Sequence, residues 1–213
     1  MTVEVLDDGR KRITAPLSDE DVRELHAGDV VLVSGTVYAA RDAAHKRMIE
    51  LLDEGRDLPF DPKGSIVYYV GPTPAKPGHV TGAAGPTTAS RMDSYTPRLL
   101  EIGLKGIVGK GGRGKVVQES LKAHTAVYMA ALGGGGALAA LKVRSQRVIA
   151  FDELGPEAVR EMEFEDFPVW VVNDCEGRDF YDETVAPWRK PDQLPAFLRD
   201  PIPHELTDSN GGG

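Results

Sequence analysis

Two stretches constrain what this chain can fold into: Ser34-Gly-Thr-Val-Tyr-Ala-Ala-Arg-Asp-Ala-Ala-His-Lys-Arg47 and Gly82-Ala-Ala-Gly-Pro-Thr-Thr-Ala-Ser-Arg-Met-Asp93. Each follows an apolar run, over 30–34 and 65–70, of the kind that forms a strand covered on both faces. Each then mixes turn residues, hydroxyls and arginine at what reads as a helix start. In α/β proteins, a strand end that feeds a helix N-terminus is where anionic ligands are held. Hydroxyl and guanidinium groups at two such junctions point to a carboxylate or a phosphate.

The rest of the chain supports strand–helix alternation. A short strand is expected over 11–14. A short helix follows, with Ser18 as its N-cap and Asp19, Glu20 and Asp21 in its first turn. A longer helix is expected over 39–54, with Ala43, Ala44, Met48, Leu51 and Leu52 as its apolar stripe and Gly55 as its stop. The long loop over 71–85, rich in proline and glycine, has the marks of a functional segment. A helix begins near Thr87 or Thr88 and is limited or split by Pro97. Further strands are expected over 106–108, 126–132, 147–151 and 169–172, and further helices over 115–124, 137–141 and 156–163. A hairpin is expected over 174–184. The pattern implies an α/β fold, with a mixed sheet, flanking helices and antiparallel pieces at both ends. Residues 1–185 read as one domain. Residues 186–213 read as a C-terminal extension that ends in a flexible, glycine-rich tail.

Composition removes several function classes. A net charge of −8 over 213 residues argues against a nucleic-acid surface, while leaving room for a locally basic site. No apolar run approaches the ~20 residues of a membrane span. The N-terminus lacks a basic and then apolar signal region, so a cytoplasmic protein is expected. Cys175 is the single cysteine, which rules out a disulfide within the chain. A cysteine-ligated iron–sulfur cluster needs about three or four thiolates, so this chain alone cannot carry one. No His and Cys cluster suggests a metal site.

Arg41 sits at the start of the helix over 39–54, where guanidinium and helix N-terminus together favour a carboxylate; the plainer reading is a surface arginine paired with an acid. His45 lies on the same face one turn on and reads as structural. In Gly85-Pro-Thr-Thr-Ala-Ser-Arg91, Thr87 or Thr88 serves as a cap on the plainer reading, while Thr87 and Arg91 one turn apart make a carboxylate clamp on the sharper one. Gly109-Lys-Gly-Gly-Arg-Gly-Lys115 lacks the spacing of a P-loop, and no Gly-x-Gly-x-x-Gly follows the first strand. Lys110, directly after a strand, places a point charge in the crevice. Arg113 and Lys115 read as solvated. The glycines at 133–136 allow a tight turn or close packing. Cys175 lies between Asp174 and Glu176, which argues against a nucleophile. Arg41, Arg91 and Lys110, with hydroxyls at Thr36, Thr87 and Thr88, imply a small dianionic ligand and chemistry that is incomplete in this chain.

These motifs, together with Tyr-Val-Gly-Pro-Thr-Pro at 69–74 and Gly-Lys-Gly-Gly at 109–112, closely resemble the β subunit of class I iron–sulfur hydro-lyases. That family comprises two-subunit fumarases, L-tartrate dehydratases and the C-terminal domain of single-chain class I fumarases, and the likeness runs over roughly residues 10–185. The resemblance implies a swivelling β/β/α fold that docks on an α subunit carrying a 4Fe-4S cluster, in an α2β2 heterotetramer. It places substrate binding on Arg41, Arg91 and Lys110 and makes Thr87 the candidate base, the alternative being that Thr87 orients substrate while the α subunit supplies both proton-transfer groups. The implied reaction is reversible hydration of fumarate to (S)-malate, with tartrate or mesaconate as alternative substrates of the same family. A non-catalytic dicarboxylate-binding module is the alternative from another class.

Overall fold

The structure is a computed structural model that describes residues 3–188 and Lys190. Its strands are β1 (Val3–Val5), β2 (Lys11–Ala15), β3 (Val30–Ala39), β4 (Ile66–Tyr68), β5 (Gly106–Gly109), β6 (Val127–Ala130), β7 (Val143–Ala150) and β8 (Val159–Asn173). Its helices are α1 (Asp19–Arg23), α2 (Asp42–Asp53), α3 (Thr96–Glu101), α4 (Lys115–Ala123), α5 (Gly136–Ala140) and α6 (Phe180–Val185), with 3-10 turns at Ala89–Met92, Asp152–Glu157 and Ala186–Trp188. The first compact unit ends at Tyr181. Most of the extension at 186–213 lies outside the described residues.

One mixed sheet runs β1-β2-β3-β4-β5-β6-β8-β7, and a further pairing of β3 with β8 closes β3, β4, β5, β6 and β8 into a ring. Strands β2 to β6 are mutually parallel where they pair, whereas β8 runs antiparallel to β3, β6 and β7. Closure follows from the length of β3 and β8. The β3 strand pairs β2 along its first half, β4 along its second, and β8 along nearly all of its other edge.

The apolar runs are continuous because both faces of the strands are buried. Ile66, Tyr68, Val108, Val127, Met129, Met162, Phe164 and Phe167 fill one core, inside the ring. Val67, Tyr69, Ile107 and Tyr128 point the other way, into a second core with Met48 of α2, Leu99 and Leu100 of α3, and Val117 and Leu121 of α4. The fold is therefore α/β, a mixed sheet with flanking helices.

Several expectations need correction. The segment Ser34-Gly-Thr-Val-Tyr is not a turn: β3 continues through it to Ala39. Gly35 adopts φ +89°, and a Cβ there would lie 2.9 Å from the Ala15 carbonyl, so the strand passes β2 too closely for a side chain. Opposite it, β8 accommodates the irregularity at Glu165-Asp166, where the Asp166 N–H donates to Ser34 Oγ. Helix α2 starts at Asp42, with Arg41 as its N-cap residue rather than in its first turn. The helix expected over 156–163 is a 3-10 turn that ends at Glu157, followed by β8. The hairpin expected over 174–184 is a single bridge, Asn173 to Asp179, and then α6. Ser18 does cap α1, in a reciprocal pair with Asp21. Pro97 falls in the first turn of α3, after the 3-10 turn, and so divides the two helical pieces.

Candidate functional site

The C-terminal ends of β3, β4 and β5 lie side by side, and the segment after each carries one of the singled-out residues. Beyond its last ladder residue β3 makes one more bond, Ala40 N–H to the Tyr68 carbonyl, and Arg41 follows at the mouth of α2. Tyr69 prolongs β4 by donating to Val108 O. The Thr87 N–H donates to Tyr69 O at 2.7 Å, Lys110 N–H donates to Thr87 O at 3.1 Å, and Ala89 N–H donates to Lys110 O at 2.8 Å. Residues 87–89 thus bridge the ends of β4 and β5, with Thr88 and Lys110 in parallel register. The carboxyl ends of parallel strands are where α/β folds, open or closed, hold their ligands.

The two arginines meet on one carboxylate. Arg91 Nε lies 2.7 Å from Asp42 Oδ1, and Arg41 Nε lies 3.3 Å from Asp42 Oδ2. Arg41 also pairs with Glu157 at 3.1 Å. Gly71 permits this placement, since a Cβ there would lie 2.9 Å from Arg41 Cδ. Among the described residues the Lys110 ammonium has no ion pair and the Thr87 hydroxyl has no hydrogen bond, although Thr87 itself is buried. Structure therefore assembles Arg41, Thr87, Arg91 and Lys110 on one edge. It also bears out the plain reading of Arg41 as an arginine paired with acids.

Other candidates fall elsewhere. Thr36 Oγ1 bonds Glu163 across the β3–β8 pair at 3.0 Å and so is committed to the sheet. Neither Thr87 nor Thr88 caps with its side chain; the 3-10 turn starts after Thr88 without a side-chain cap bond. Arg113 is buried rather than solvated: its guanidinium, with no exposed side-chain surface, bonds Asp93 at 2.8 Å and Thr96 at 2.6 Å and lies over the rings of Tyr69 and Tyr128. The residue type and its glycine neighbours gave no sign of this. The partners lie far away in sequence, and only the Asp93-x-x-Thr96 spacing hints at a paired receptor. Lys115 is exposed, as expected. The glycines at 133–136 do serve close packing: Ala84 N–H donates to Gly136 O, and a Cβ on Gly136 would lie 3.0 Å from Gly85 N.

His45 is wholly buried on α2, its Nδ1 2.9 Å from the Arg41 carbonyl and its ring edge-on to Tyr69. Burial pulls its pKa down to about 4. Cys175 is half-buried, and burial followed by the adjacent Asp174 raises its thiol pKa, the opposite of an activated nucleophile. Among the described residues no group of three His, Cys, Asp or Glu side chains could hold a metal ion. This donor set does not fit an iron–sulfur cluster. A cavity of about 640 Å³ between the 71–85 loop and α5, lined by Thr73, His79, Leu138 and Arg144, contains none of the four assembled residues. Their edge is instead an open surface, on which Arg91 and Lys110 are exposed.

The family described as Fumarase C-terminus matches residues 5–184. Fumarate hydratase 2 of Leishmania major is 39% identical over 169 residues, which are 78% of this chain and 30% of that protein. The anaerobic class I fumarate hydratase of Escherichia coli (strain K12) is 38% identical over 155 residues, covering 72% of this chain and 28% of that protein. The L(+)-tartrate dehydratase subunit beta of the same strain is 32% identical over 204 residues, 93% of this chain and 96% of that subunit. The chain thus spans under a third of these two fumarate hydratases but nearly the whole of the dehydratase subunit. A match that takes in every strand from β2 to β8, and with them the edge that carries Arg41, Thr87, Arg91 and Lys110, makes this chain a member of the Fumarase C-terminus family.

Proposed function

We propose that this chain is the substrate-holding β subunit of a hydro-lyase that adds water reversibly to a 2-butenedioate, fumarate to (S)-malate. The observation that supports this most is the pinning of Arg41 and Arg91 on Asp42, beside a Lys110 ammonium and a Thr87 hydroxyl that are not committed to partners among the described residues. Three cations against two local acids, Asp42 and Glu157, leave an edge suited to a dianion. The 4Fe-4S cluster implied by the sequence resemblance belongs, on this reading, to an α subunit, since the donor set here does not fit one.

Arg41 and Arg91 take one substrate carboxylate in planar, paired hydrogen bonds, in competition with Asp42. Lys110 takes the other as a point charge. As a proton leaves the substrate's C3, negative charge grows on the adjoining carboxylate, and fixed cations there stabilise it. On this reading Thr87, whose backbone joins the ends of β4 and β5, receives that proton. A threonine hydroxyl is a weak base, so its alkoxide depends on Lys110 and Arg91 nearby and on exclusion of water. The relatives are named for different substrates, fumarate for the hydratases and tartrate for the dehydratase, and the substrate proposed for this chain is fumarate.

The test is Thr87→Ala in the enzyme assembled with its α subunit. Loss of a proton-transfer group lowers kcat by about 10²-fold or more with KM within a few-fold. Turnover within threefold of wild type would remove Thr87 as the base and leave it as an orienting group. No hydration by the wild-type assembly on any 2-butenedioate would remove the hydro-lyase reading itself.

A further inference from the structure

We infer that Arg113 is a positioning residue that sets the register of the substrate-holding edge from beneath, an inference that rests on the function proposed above. Its guanidinium has no exposed side-chain surface and reaches three segments at once. Nε bonds Asp93, one residue after the 3-10 turn that carries Arg91. Nη2 bonds Thr96 Oγ1 at 2.6 Å, and Nη1 points to Tyr69 Oη at 3.4 Å. Tyr69 is the residue whose carbonyl receives the Thr87 N–H.

The chain leading to Arg113 is the Lys110 loop itself. That loop is fastened at both ends of the short link. Lys110 bonds Thr87 and Ala89 through its backbone, and the Gly114 N–H donates to Asp93 Oδ2 at 2.8 Å. Tyr128, whose ring lies under the guanidinium, donates its hydroxyl to Gly111 O at 2.7 Å. A buried cation with a carboxylate, two hydroxyls and two aromatic faces favours one geometry, because a shift of the Asp93 segment leaves charge unpaired in a low-dielectric site and a shift of Thr96 or Tyr69 costs a hydrogen bond. The planar fork makes this arginine-specific: a lysine offers the charge without the directed set of donors. Arg113 touches no substrate; it acts through Tyr69, Asp93 and its own loop.

Amide hydrogen exchange on the full chain tests this directly, comparing wild type, Arg113→Met and Arg113→Lys. The expected result for Arg113→Met is exchange at the Thr87, Ala89 and Lys110 amides at least tenfold faster, while the Arg12 and Leu32 amides on the far β2–β3 pair change by less than threefold. Arg113→Lys falls between the two. Equal acceleration at both places marks a purely structural residue and overturns the inference, as does no acceleration at either. In the assembled enzyme, the preference for a dicarboxylate over its half-amide, as a ratio of kcat/KM, should fall by tenfold or more in Arg113→Met. Preserved preference overturns the link to substrate. A wild-type assembly without hydro-lyase activity would sink the function but not the exchange result, so the two failures are distinguishable.

Discussion

His45 joins the Arg41 backbone to the wall of tyrosines behind the site, and its environment makes it a reporter of acid stability. Burial is the largest influence on it and lowers its pKa from 6.5 to about 4; the Arg41 carbonyl acts in the opposite sense, and the Arg113 charge adds to the lowering. The unfolded chain therefore binds a proton near pH 6.5 that the folded chain refuses until near pH 4. Between those values the unfolded state holds more protons, so stability falls as the pH falls, by about 3 kcal/mol across the window from this residue. His45→Phe keeps an aromatic ring beside Tyr69 and removes the titration. Denaturant unfolding of both proteins from pH 7 to pH 4 should show the wild type losing about 3 kcal/mol more than the variant. A stability difference that stays constant with pH would refute the assignment. The sequence placed His45 one turn from Arg41 and allowed a structural role, but not its contact with Tyr69, which lies 24 positions away and is brought close only by the packing of α2 on the sheet.

At the scale of elements, the strand-to-loop junctions were legible wherever the signal is local. Ser18 with Asp21, the apolar run of β5 and the glycines at 133–136 all act over a few residues and did as their chemistry suggests. The misreadings have physical reasons. Ser34-Gly-Thr reads as a turn, yet Gly35 serves a close strand crossing, because β8 covers the whole of β3 from the far end of the chain. Glu161-Met-Glu-Phe-Glu165 alternates strictly, the mark of a strand, but its glutamates are also good helix formers, and the tertiary pairing with β3 and β7 decides. The loop over 71–85 shows how such an element shapes the site. Its first residue, Gly71, underlies Arg41, where an added Cβ would lie 2.9 Å from Cδ and 3.0 Å from the Pro156 carbonyl. The side chain yields more easily than the backbone, so Gly71→Ala should push the guanidinium away from Glu157 at a stability cost of about 1 kcal/mol. Steady-state kinetics of the assembled enzyme should then show KM for the dicarboxylate raised about tenfold, the equivalent of one charged hydrogen bond of about 1.4 kcal/mol. An unchanged KM would mean that Arg41 does not hold substrate.

At the scale of the whole molecule, the proposed function makes this chain one part of a larger active centre. It spans 28–30% of the fumarate hydratases compared, and nearly all of a subunit named beta. Its cationic edge is open, and its own acids already occupy the arginines. A dianion arriving at the isolated chain exchanges Asp42 for its own carboxylate, and the free energy gained is only the difference between two similar ion pairs beside solvent. The resulting affinity should be weak, with Kd at about 1 mM or above, which corresponds to roughly −4 kcal/mol. Calorimetric titration of the isolated chain with malate measures this, and fumarate hydration by the same sample should be undetectable. Addition of an α subunit, anaerobically and with iron supplied, should bring turnover, because a second wall removes water from the edge and raises the worth of each charge on it. Micromolar binding of malate by the chain alone, with no turnover on adding the subunit, would reverse the conclusion. The arginines, threonine and lysine would then form a complete recognition site, and the chain would be a dicarboxylate-binding module that keeps the enzyme's grip without its reaction.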